Sequence, residues 1–336
     1  MKTYNTTQLL GMASGLLAAA LMASVPALAA ATTAPNFQVL DNPGDPHFNQ
    51  LLGINDSRII VGYFGDGTAV PNNGYLLIPR NHYSVENFTN LPKGDKASQT
   101  QAIGINNNSE FPKVVGFYTD NNTGFTHGFL DFMGTQITVD DPEGNASRVA
   151  TPTQNLLGVN DQNEAAGFWM DNSGHSHGFV VLFNANATEF SFTEIPPSTF
   201  KGAVSTQASN INTENVVCGF WTDANGASHG FFGTIGKSYT TFNVEIGGVK
   251  AASTQAFGCN NNGDIVGQFA DTNGYLHGFI YHEGKYEQFD APGSSQVAEF
   301  GVQGTLINGI NDFGDIVGFY SDGKSKVNSF VEYTAD

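Results

Sequence analysis

Beyond residue 35, apolar residues in this chain come in short bursts bracketed by Asn, Asp and Gly. The clearest bursts are residues 60–64 (IVGYF), 114–118 (VVGFY), 165–169 (AAGFW), 217–221 (VCGFW), 265–269 (IVGQF) and 316–320 (IVGFY). Each reads as a buried strand with a tight turn at either end. Asn, Asp and Gly reach left-handed backbone angles at little cost. Ahead of each burst runs a second apolar segment ending in an Asn: LLGIN, AIGIN, LLGVN, ASNIN, AFGCN and INGIN. After each burst, a turn such as DNSG or DANG leads to a third strand beginning HGF in four units, NGY in the first and NSF in the last. A fourth, aromatic-polar strand follows and stops at Pro or Gly, as in KYEQFDAPG.

The asparagines Asn55, Asn106, Asn160, Asn212, Asn260 and Asn311 are 51, 54, 52, 48 and 51 residues apart. A period near 50 with four strands per unit predicts the blade of a β-propeller. The last unit stops after its third strand, whereas NFQVLDNPG at residues 36–44 resembles the fourth strand of the unit at 287–293 (EQFDAPG). The expected fold is therefore all-β: a six-bladed propeller of four-stranded blades, with the N-terminal strand completing the last blade. Residues 36–336 make one domain. Residues 1–29 read as a secretory signal peptide, with Lys2, an apolar run at 9–25 and ALA at 27–29, and residues 30–35 as a short linker.

Composition narrows the partners. Charged residues are 13% of the chain, yet the net charge is −18 because Lys and Arg are so few. Such a chain repels nucleic acid and anionic lipid, and no later stretch is apolar enough to insert in a membrane. The expected partners are a glycan or an extracellular protein. The expected location is secreted, extracellular or periplasmic. In that setting Cys218 and Cys259 are candidates for a disulfide, with two buried thiols as the alternative.

The repeated elements GIN, VG and HGF resemble a bacterial family of extracellular repeat proteins, the HAF-repeat type. The resemblance covers nearly the whole of the chain after the leader. It implies an exported, repeat-built β-protein and carries no defined activity.

The candidate chemistry lies in what recurs. The six asparagines would ring the axis at the channel mouth, where amides, with Asp56, Asp161 and Asp312 beside them, suit a sugar or a cation. The same residues would serve as turn formers through bonds to their own backbone. Gln50, Gln101, Gln154, Gln207 and Gln255, one before each of five GIN elements, are candidate channel-lining ligands. Asp120 with His127, Asp171 with His177, Asp223 with His229 and Asp271 with His277 flank one turn each and read as structural pairs. No cofactor is expected beyond weak calcium binding at turns such as DTNG; no unit carries a full loop of ligands, so metal residues stay unassigned. The chain has no GxSxG, HExxH or CxxC. The favoured function is thus a secreted, non-catalytic binding or interaction protein. The alternative is a secreted propeller enzyme, a lyase or hydrolase acting on polysaccharide through carboxylates from separate loops.

Overall fold

A computed structural model describes residues 31–32, 36–80, 82–87, 97–132, 134–146 and 148–334. The expected signal peptide lies outside these residues. Six antiparallel sheets form the six blades of a propeller. Five are contiguous in sequence: Asn49–Ile54 to His82–Asn87, Ala97–Ile105 to Thr135–Thr138, Gln154–Val159 to Phe190–Ile195, Ala203–Ile211 to Tyr239–Phe242, and Ser253–Cys259 to Lys285–Phe289. The sixth contains Thr305–Ile310, Ile316–Ser321 and Val327–Glu332. Within each blade the first strand lies innermost. The first strands begin at one end of the molecule, the upper end, and finish at the lower end with the GIN turn.

The ring closes as the sequence predicts. Phe37–Val39 pairs antiparallel with Val327–Glu332, placing Phe37 opposite Glu332 and Val39 opposite Phe330. The Phe37 and Phe330 rings stack at 5.3 Å. The expected linker contributes one addition: Ala31–Thr32 pairs with Phe37–Val39 as a fifth strand on this blade.

The core sits between blades. The aromatic that ends HGF, or its counterpart, is at most 1% exposed in every blade: Tyr75, Phe129, Phe179, Phe231, Phe279 and Phe330. One cluster joins Ala166 and Val180 of the third blade to Ala208, Trp221 and Phe231 of the fourth. Another joins Val317 and Val331 of the sixth to Leu51 and Tyr75 of the first. Burial of each such aromatic contributes about 1.5–3 kcal/mol. Repeated at every seam, it holds a ring whose blades share few backbone bonds.

Candidate functional site

Neighbouring inner strands come close at the first residue of the GIN element, a glycine in five blades and Asn210 in the fourth. A Cβ on Gly104 would lie 2.6 Å from the carbonyl oxygen of Leu157 and 2.8 Å from the Cα of Gly158. On Gly53 it would lie 2.6 Å from the oxygen of Ile103, and on Gly309 3.0 Å from the Cα of Gly53. Each inner strand also carries a β-bulge just before this point, at Leu51/Gly53, Ala102/Gly104, Leu156/Gly158, Ala208/Asn210, Ala256/Gly258 and Ile307/Gly309. A bulge re-aims the extra residue. Here the extra residues are Leu52, Ile103, Leu157, Ser209, Phe257 and Asn308, and all six line one axial cavity of about 280 Å³.

Five of the six asparagines, Asn106, Asn160, Asn212, Asn260 and Asn311, line this cavity and Asn55 does not, but the wall engages their amides. Their oxygens accept backbone N–H groups of their own turn, as Asn212 Oδ1 does from Glu214 and Val216. Their Nδ2 groups reach the next blade: Asn55 to Asn106 O, Asn160 to Asn212 O, Asn212 to Asn260 O and Asn260 to Asn311 O, each at 3.0 Å. Asn311 closes the circle onto Asn55 O at 3.3 Å. Asn106 departs from the pattern and donates to Asp161 Oδ1 at 2.7 Å. The residues one step on form a second ring at the lower end. Asp312 accepts from Asn261 N at 2.8 Å and Nδ2 at 2.7 Å, and donates its own N–H to Asp56 Oδ1 at 2.9 Å. Burial, with Asp312 and Asp161 nearby, pushes the Asp56 carboxyl above its usual range. The amides expected to meet a ligand therefore stitch blade to blade.

The glutamines divide. Gln50, Gln101 and Gln207 line the cavity. Gln101 donates to Asn72 Oδ1 at 2.8 Å, whereas Gln50 and Gln207 have no side-chain partner among the described residues. Gln255 turns to Ser228 Oγ at 3.3 Å. Gln154 is one residue out of step: it pairs opposite Trp169, where the other blades place Asn49, Thr100, Thr206, Thr254 and Thr305. Side chains alternate along a strand, so Gln154 faces away from the axis and bonds both backbone groups of Asp141. The true counterpart of Gln50 is Asn155.

The bulge residues fall outside the expected site, and they give the cavity two sides. Leu52, Ile103 and Leu157 make an aliphatic side. Ser209, Phe257 and Asn308 make the other, with Phe117, Phe168 and Phe220 also lining the space. Ser209 is 4% exposed, and its buried hydroxyl has no hydrogen-bond partner; neither has Asn308 Oδ1. The signal was present: the position three before each Asn changes character from unit to unit while its neighbours repeat.

The Asp–His pairs are corrected in part. His177 Nε2 meets Asp171 Oδ2 at 3.1 Å, as expected. His127 Nδ1 instead meets Asp140 Oδ2 at 2.5 Å, and His277 Nδ1 meets Asp290 at 2.9 Å. His229 Nδ1 meets Asn243 Oδ1 at 2.9 Å, with Asp223 farther off at 3.8 Å. The fourth strand, pairing antiparallel with the third, delivers its last polar residue beside the imidazole; in the third blade Pro196 stands there. Asp120, Asp223 and Asp271 accept N–H groups of their own turns. Each His ring also packs on the strand-two aromatic, as His177 on Trp169 at 4.2 Å. Cys218 and Cys259 come together in one core cluster as buried free thiols, and Cys259 Sγ donates to Val216 O at 3.8 Å. Among the described residues no group of three or more His, Cys, Asp or Glu is arranged to hold a metal ion, and no helix is long and apolar enough to cross a membrane.

No protein-family model and no curated protein sequence matches the chain. Solved structures do. Aleuria aurantia lectin, a fungal fucose-binding six-bladed propeller, superimposes with a TM-score of 0.52 at 10% identity over 84% of this chain and 92% of the lectin. Trypanosoma rangeli sialidase gives 0.53 at 7% identity over 88% of this chain, and a Hadza microbial sialidase 0.51 at 10% over 85%. The chain is a six-bladed β-propeller. It spans 55% and 65% of the length of those two sialidases. At such identities the likeness is one of fold.

Proposed function

We propose that this propeller is a secreted, non-catalytic binding protein whose axial cavity takes a neutral, sugar-like ligand. One observation carries the reading: a hydroxyl and an amide oxygen, on Ser209 and Asn308, are buried without protein partners in the wall of the cavity. Such groups are destabilising when unmet, so they mark places where a ligand or water bonds. Around them stand the amides of Gln50 and Gln207 and the rings of Phe117, Phe168 and Phe220. Amides that meet hydroxyls, beside rings that meet C–H faces, suit a carbohydrate. The volume of about 280 Å³ is close to the lower bound of small-molecule sites. The low count of Lys and Arg argues for a neutral glycan over an acidic one. Lectin and sialidase propellers of similar fold act on sugars, which supports the class of ligand.

A glycan array, run with calcium and with chelator, tests the proposal on wild type and on Ser209→Leu with Asn308→Leu. Leu already occupies the equivalent bulge positions, Leu52 and Leu157, so the substituted chain keeps its fold. Binding to neutral glycans should fall by about tenfold or more, with the melting temperature held or raised. Equal binding by wild type and variant would overturn the axial site. Turnover of a bound oligosaccharide would replace the non-catalytic reading with the enzymatic one.

A further inference from the structure

The longest described connection at the upper end of the sixth blade joins Lys285–Phe289 to Thr305–Ile310. Within it, Glu299 and Val302 exchange both backbone hydrogen bonds at 2.8 Å, making a miniature hairpin with Phe300 and Gly301 at its tip. The tip residues have φ of 49° and 84°. A two-residue turn with positive φ at both positions selects Asn-Gly, Asp-Gly or Gly-Gly. A bulky aromatic there is an outlier. Phe300 is nonetheless 48% exposed, so burial does not compensate for the conformation it adopts.

The ring is held beside a cluster that reaches the wall of the axial cavity through Leu52. Phe300 packs edge-on against Phe48 at 5.8 Å. Phe48 lies two residues before Gln50, just ahead of the inner strand Asn49–Ile54, and bridges to Val327 of the sixth blade. Val302, at the other side of the hairpin, is buried with Phe48, Tyr63 and Leu52, and Leu52 lines the cavity. The hairpin thus anchors on the cluster behind Leu52, on the aliphatic side of the channel, and presents an exposed aromatic ring.

We propose that Phe300 is a stacking platform for a second sugar ring, so that the axial cavity takes the terminal residue of a neutral oligosaccharide and Phe300 the next one. The inference rests on the axial carbohydrate reading. Strained backbone carrying an exposed aromatic is a signature of a functional position. A pyranose ring offers the C–H face that such a ring binds.

Calorimetric titration of the full chain tests it, with neutral oligosaccharides of glucose, galactose, mannose or N-acetylglucosamine, each compared with its monosaccharide. Phe300→Asn supplies the residue the turn prefers and removes the ring. It should keep or raise the melting temperature, leave monosaccharide affinity unchanged and weaken oligosaccharide affinity by about five- to tenfold. Phe300→Tyr should bind as wild type. Undiminished oligosaccharide binding by Phe300→Asn, with the Ser209→Leu and Asn308→Leu chain still defective, would overturn the platform and leave the axial site standing. Equal losses in Phe300→Tyr and Phe300→Asn would also overturn it. If the bulge variants bind normally as well, both readings fall.

Discussion

Asp41 shows how one repeated residue changes its consequence with its surroundings. It occupies the position that Asp140, Asn243 and Asp290 hold elsewhere, at the end of a fourth strand, but on the strand that closes the ring. It accepts Ser329 N–H at 2.9 Å and lies beside the Leu40–Ser329 bonds of the closing seam. Burial outweighs these bonds and pushes its carboxyl up to about 6. A raised acid favours the folded state below the unfolded pKa, and that advantage disappears as pH rises through the folded value. Wild type should therefore lose on the order of 3 kcal/mol between about pH 4 and pH 7 relative to Asp41→Asn. Melting temperatures of the two proteins across that range check this, and parallel curves would contradict it. Asp315 at the same seam acts in the opposite sense. Burial alone would raise it, but hydrogen bonds from Arg58, Asn311 and Thr334 hold it below its usual range. Its contribution is present at neutral pH and lost on acidification. At this scale the sequence revealed the turn role of each Asn but hid its bond to the next blade, because that partner lies some fifty residues away. It hid the Asp140 and Asp290 partners of the histidines for the same reason, and it misplaced Gln154 by one residue.

Among elements, the inner strand carries both the fold and the site. Its bulge puts one residue per blade into the cavity, and the glycine that follows in five of the six blades lets neighbouring strands touch. Gly104→Ala would bring a Cβ within 2.8 Å of backbone in the third blade, which cannot move away as a flexible side chain would. Overpacking of this kind should destabilise by about 1–3 kcal/mol, read as a lower urea midpoint. Gly134→Ala, with nothing within 4 Å of its added Cβ but a φ of 74°, separates backbone strain from overpacking as a cause. The strands were legible because period-two patterning and Gly, Asn and Asp turns coincide in every unit. Strand two falls at Ile60–Phe64 and Ile316–Ser321, within a residue of its expected bounds. The bulges were not legible. A bulge is a two-against-one pairing with a partner strand, and the chain alone gives no such count.

The molecule as a whole depends on a seam between its first and last strands. Phe37 is 1% exposed and stacked on Phe330, so Phe37→Ala should cost about 3–5 kcal/mol and lower the midpoint of global unfolding. A change confined to one local transition, with the main midpoint unmoved, would show that closure is dispensable. Six-fold repetition was plain in the sequence, whereas the departure from it was not. Only the folded ring sets the aliphatic Leu52, Ile103 and Leu157 across one cavity from Ser209, Phe257 and Asn308. On the proposed function, that asymmetry predicts a single ligand per chain in place of one per blade. The most direct measurement is calorimetric stoichiometry with the neutral oligosaccharide that gives the strongest array signal. One ligand per chain, lost when Ser209 and Asn308 both become Leu, is the predicted result. Five or six ligands per chain, unaffected by those substitutions, would place binding at the repeated blade surfaces and contradict the axial site.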